Sequence, residues 1–220
     1  MIVLLFLQNP LVGLILVVAL IFSLVLHELG HGVVALWAGD DTALRAGRLT
    51  LNPLAHLDPL GVLLLLLVGI GWAKPVPIYP PYFRHYRSGL FFVSIAGIVV
   101  NLLLALFFAL LLRALDAAAP QAVSEGIRDG SGGLLGVLGL ALLLTASINV
   151  TLAVFNLLPI PPLDGSKILQ SLLPTSFQPF LWQLQRYSFV SFLLLVTVLR
   201  APVIDLISWV QRGFIQLVLG

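Results

Sequence analysis

The sequence predicts an all-α polytopic membrane protein, an expectation that rests on three observations. Of its 220 residues, 60% are hydrophobic and only 9% are charged, whereas soluble domains carry about 25% charged residues. The mean hydropathy is +1.12. Five apolar stretches, roughly 11–38, 89–115, 134–158, 180–199 and 202–219, approach or exceed the ~20 helical residues that span a hydrocarbon core. Five to six transmembrane helices are expected in a single membrane-embedded domain over 1–220, with a core at about 11–173 and C-terminal helices at about 180–219.

In chain order, an apolar run from Met1 to Leu7 comes first, with no charge before His27. It lacks the basic region and small-residue cleavage site of a signal peptide, so it is expected to be retained. The stretch 61–72 is apolar but too short to span as a helix, and proline-rich segments flank it. It reads as a re-entrant or interfacial element, tolerated where protein buries its backbone. Residues 46–51 alternate Arg48 and Thr50 with Leu49 and Leu51, the pattern of a short β element after the first long helix. The last two stretches are separated only by Arg200 and Ala201 ahead of Pro202. They are read as a tight helical hairpin or as one long broken helix.

Charge orients the chain. Segments 39–59 and 73–88 hold Arg45, Arg48, Lys74, Arg84 and Arg87 against Asp40, Asp41 and Asp58. The opposite loop, 113–133, mixes both signs. The positive-inside rule places the first group in the cytoplasm, with the loop 159–179 returning to that side. A net charge of +2 is too thinly spread to suggest nucleic-acid binding. The absence of cysteine excludes disulfides, thiolate zinc sites and cysteine catalysis. Any metal must therefore be held by the four His and nine Asp and Glu residues.

Near the inner end of the first helix stands His27-Glu28-Leu29-Gly30-His31. Residues at i and i+4 share a helical face, so His27 and His31 can offer two imidazoles to one metal, with Glu28 beside them as general base. Two nitrogen ligands and one carboxylate, with a position left open for water, suit zinc, although other divalent ions take the same donors. Ionisable groups at membrane depth are costly and mark function. The third ligand is expected to be Asp164, in the stretch Asn156-Leu157-Leu158-Pro159-Ile160-Pro161-Pro162-Leu163-Asp164-Gly165. There the prolines stop the preceding helix. By spacing alone, Asp164 serves equally well as an N-cap for the next helix. Topology favours the ligand, because both motifs reach the same side of the membrane. Asn149 and Asn156, seven apart, share a helix face. Interhelical hydrogen bonding is the alternative role for both, and for Asn101. His56 is a weaker ligand candidate, since its neighbouring prolines and Asp58 read as a turn.

At these motifs the chain resembles the site-2 protease family of intramembrane metalloproteases. The segments 52–61 and 71–77 resemble its compact bacterial branch, which lacks a PDZ domain. The resemblance implies that His27, His31 and Asp164 bind one zinc ion and that Glu28 is the catalytic base. It also implies that Asn156, and more weakly Asn149, holds the substrate backbone or the developing oxyanion. Two departures stand out: Ser166 replaces the second glycine of a frequent LDGG, and Ile98 replaces the proline of a frequent AGPxxN at 96–101. Neither removes a ligand. The expected partners are transmembrane proteins or peptides as substrates and the lipid bilayer, with no nucleic acid and no expectation for the oligomeric state. The expected location is the cell membrane, with the site towards the cytoplasm. A divalent-metal transporter would need carboxylates along a through-path, and the sequence has no such series. An inactive scaffold would have lost a catalytic group, and none is missing.

Overall fold

The computed structural model describes residues 6–68 and 71–219. The apolar run at the start therefore lies largely outside the described residues. Three long helices form the body: α1 (Pro10–Ala38), α4 (Tyr86–Ala118) and α6 (Gly133–Leu157). Each is long and apolar enough to cross a membrane. Asn9 caps α1 through its side chain, accepting from the Val12 N–H at 3.2 Å, and Pro10 occupies the first turn, where its missing N–H is no loss. The Gly39 N–H closes the other end on the carbonyls of Ala35 and Leu36. The three long helices pack against one another, with α4 touching both α1 and α6. Small residues such as Ala105, Ala109, Ala146 and Ala153 fill their shared interior, as expected where backbones approach without a hydrophobic driving force.

The shorter elements are α2 (Thr42–Arg45), α3 (Pro59–Val68), α5 (Pro120–Asp129), α7 (Asp164–Leu172), α8 (Gln178–Arg186), α9 (Ser188–Thr197) and α10 (Arg200–Leu219). The short apolar stretch forms α3, after which the chain doubles back, bridging Leu57 to Ala73. A Cβ on Gly61 would lie 2.2 Å from the Trp72 carbonyl oxygen, so the two arms meet only because residue 61 has no side chain. The segment thus leaves where it began, as a re-entrant element must.

Three sequence expectations are corrected. Among the described residues, the crossing count falls to three, or four if the pair α9–α10 is one span bent by 74°. The stretch 180–199 does not form one helix. Its first part, with Gln183, Gln185 and Arg186, is the separate, two-faced α8, and only ten residues remain for α9. The β element at 46–51 is absent. Those residues run as turn and irregular chain, because no second strand lies alongside among the described residues: the Arg48 guanidinium instead binds the Lys74 carbonyl at 2.8 Å. The loop 113–133 holds the amphipathic α5, whose Val123 packs on Leu112 and Leu142.

Candidate metal centre

His27 and His31 lie one turn apart on the buried face of α1, 4% and 5% exposed. Asp164 arrives at the first turn of α7, which packs against α4. The Asp164 Oδ2 lies 3.2 Å from His27 Nε2 and 3.0 Å from His31 Nε2, and the two Nε2 atoms are 3.0 Å apart. Among the described residues, these three form a group whose donor atoms all fall within 4.8 Å of one another. Asp164 does not serve as a cap: Leu163 holds that position, and no side chain caps the helix start.

Each imidazole is fixed from behind. His27 Nδ1 meets Asn101 Oδ1 at 3.1 Å, and His31 Nδ1 meets the Val93 carbonyl at 2.6 Å. Both partners belong to α4, and both leave Nε2 turned towards Asp164. Such outer partners set the tautomer and the ring plane of a ligating histidine. Asp164 lies outside the three long helices. Burial disfavours its charge, but His31, His27 and Lys167 outweigh that and hold the carboxyl well below its ordinary range. The Lys167 Nζ sits 3.2 Å from Asp164 Oδ1.

The donor set fits zinc, and the surrounding backbone fits an ion. A Cβ on Gly97 would stand 2.5 Å from His27 Cε1 and 2.6 Å from His31 Nε2. Helix α4 reaches the imidazoles only because residue 97 has no side chain. Glu28, the residue after His27, is half-buried, and its Oε2 accepts from the Val76 N–H at 2.8 Å. Glu28 continues the face carrying Val17, Ile21 and Leu24, at i+4 and i+3 steps. These three residues line an apolar crevice shared with Trp72, Phe155 and Phe192.

The other sequence candidates part company. Asn149 is fully buried, and its amide donates to Ser23 Oγ at 2.8 Å and to the Thr145 carbonyl at 2.9 Å, tying α6 to α1. Asn156 is half-buried and donates to the Leu152 carbonyl of its own helix at 3.0 Å. His56 lies outside the cluster, with Nε2 2.9 Å from the Thr50 carbonyl, in keeping with its turn context. Sequence reasoning under-weighted Asn101 and did not single out Gly97 or Lys167. The available signals were an i, i+4 pair of Gly and Asn inside an otherwise apolar helix, and a Lys three residues beyond Asp164.

Fold and site together define a helical membrane protein with a buried His, His, Asp cluster next to a glutamate. Comparison with known proteins gives the family. The model of peptidase family M50 matches residues 134–198. YwhC of Bacillus subtilis (strain 168) is 41% identical over 183 residues, covering 82% of this chain and 78% of its own. Rip2 of Mycolicibacterium smegmatis is 34% identical over 203 residues, covering 90% and 69%. MJ0611 of Methanocaldococcus jannaschii is 30% identical over 186 residues, covering 84% and 81%. All three are named as zinc metalloproteases. No solved structure matches the chain. The chain belongs to peptidase family M50, the site-2 proteases, and is a zinc metalloprotease of the HExxH type.

Proposed function

We propose that this metalloprotease hydrolyses peptide bonds of membrane-spanning substrates, in the cell membrane and near its cytoplasmic face. The observation that carries the reading is the convergence of His27, His31 and Asp164 on one point beside Glu28. His27, His31 and Asp164 would hold one zinc ion. Zinc, when bound, supplies Lewis acidity that polarises the scissile carbonyl and acidifies water. Glu28 takes the proton from the attacking water and returns it to the leaving amine. Asn156, eight residues before Asp164, holds the substrate backbone or the developing oxyanion.

A transmembrane helix hides its peptide bonds in its own hydrogen bonds, so cleavage requires local unwinding. The crevice along the Glu28 face of α1, closed by the α3 hairpin and by Phe192 of α9, supports access for such a segment from the side. The five cations on segments 39–59 and 73–88 support the cytoplasmic placement.

The test compares metal content and cleavage of a membrane-spanning peptide in the purified full chain. About one zinc per chain is expected, lost or much weakened in His27→Ala and Asp164→Ala. Glu28→Gln should keep the metal and lose about 10²-fold or more in rate. Full activity in Glu28→Gln overturns the base assignment, and unchanged zinc in Asp164→Ala overturns the third ligand.

A further inference from the structure

A broad apolar groove runs between α1 and α4, and it does not belong to the catalytic face. On α1 it is lined by Leu26, Gly30, Val33 and Trp37, spaced as one helical stripe. Leu26 lies two residues from both Leu24 and Glu28. At about 100° per residue, this stripe is a little over half a turn away from the α1 face that continues to the base. A substrate lying in the groove would have α1 between itself and Glu28.

The groove has one polar end. Along α4, the stripe from Phe92 through Val99 to Leu103 is apolar and exposed, at 59%, 41% and 62%. Ser88, His85 and Arg84 close the end where α1 stops and α4 starts. From Ser88 to Leu103 the helix rises about 22 Å at ~1.5 Å per residue, half the ~40–45 Å of a bilayer with its headgroups. Trp37, 72% exposed beside this end, is a residue type that concentrates at the headgroup level.

Charge selects the occupant. Among the described residues, three of the four other cations on segments 39–59 and 73–88 have partners, and the fourth, Lys74, does not line the groove. Arg45 pairs with Asp41, Arg48 binds the Lys74 carbonyl and Arg87 binds the Leu173 carbonyl. The acids are engaged as well: Asp40 binds Thr42 and Tyr79, and Asp58 binds the Gly61 N–H. The Arg84 side chain has no hydrogen-bond or ion-pair partner among the described residues. It lines the groove beside His85, and no carboxylate is ion-paired with it.

We propose that the α1–α4 groove is a binding site for an anionic phospholipid, with its phosphate at Arg84 and His85 and an acyl chain along Val33, Phe92 and Val99. The lipid packs behind the helix that carries His27 and His31, on the side away from the substrate crevice.

Native mass spectrometry of the detergent-purified full chain, titrated with dioleoyl phosphatidylglycerol or dioleoyl phosphatidylcholine, tests this. The anionic lipid is expected to bind about fivefold more tightly or better, the contribution of one arginine at an anionic surface. Arg84→Gln should remove most of that preference, whereas Arg128→Gln, on α5, should keep it. Val99→Phe, which fills the groove, should weaken both lipids. A size-exclusion profile matching wild type confirms that each variant is folded. Equal binding of the two lipids by wild type, or an undiminished preference in Arg84→Gln, overturns the proposal. Neither readout involves zinc or proteolysis, so the outcome is separate from that of the protease reading.

Discussion

Asn101 and His27 lie 74 residues apart in sequence and on different helices, yet Asn101 Oδ1 stands 3.1 Å from His27 Nδ1 in a fully buried pocket. The contact turns His27 Nε2 towards Asp164 and His31. Loss of an outer partner of a metal ligand typically costs 10–100-fold in metal affinity. Asn101→Leu should weaken zinc binding by about that factor, while Asn101→Asp, which keeps an acceptor oxygen, should retain most of it. Competition with a fluorescent zinc chelator measures both. Equal affinity in wild type and Asn101→Leu would show that the contact does not govern the ligand.

Gly97 presents its backbone to the same two imidazoles. A side chain there must displace His27 or push α4 away, since even a Cβ would sit 2.5 Å from His27 Cε1. Gly97→Val should reduce zinc content to about a tenth or less, with a lower melting temperature, because overpacking a tight interface costs about 1–3 kcal/mol. Full zinc occupancy at an unchanged melting temperature would mean the helices separate freely at this point.

Val76 supplies the only amide N–H in Pro75-Val76-Pro77, and that N–H holds Glu28 Oε2 at 2.8 Å. A hydrogen bond to a charged group contributes about 1.5–3 kcal/mol, so Val76→Pro should lower kcat on the order of tenfold or more, with zinc content intact. Val76→Ala, which keeps the N–H, should behave nearly as wild type. Steady-state kinetics on a peptide substrate separate the cases, and an unchanged kcat in Val76→Pro would place the contact outside the working cycle.

Asn149 and Asn156 share a helix but should respond differently. Asn149→Leu breaks the tie to Ser23, worth about 0.6 kcal/mol in membrane proteins and at most ~1.7. It should lower thermal stability slightly and leave kcat/KM almost unchanged. Asn156→Ala should lower kcat/KM without changing melting temperature or zinc content. If instead Asn149→Leu proves the kinetic variant and Asn156→Ala the structural one, the two roles are reversed.

By itself the sequence determined the class of the protein and which side chains could carry its chemistry. Composition demanded lipid. The i, i+4 histidines demanded one helical face, and the prolines before Asp164 demanded that the helix end and the chain turn. Those are local effects, set by backbone sterics, helical periodicity and the cost of charge in hydrocarbon. What lay between residues distant in the chain was decided by tertiary structure. The docking of α7 on α4 brought Asp164 to His27 and His31, and the close approach of α4 made Gly97 and Asn101 part of the site. The same packing gave Asn149 to Ser23. It also left 46–51 without a strand partner, and α9 too short to cross as a helix of its own. Pairing of this kind depends on which helix faces meet, and neither hydropathy nor local spacing records that.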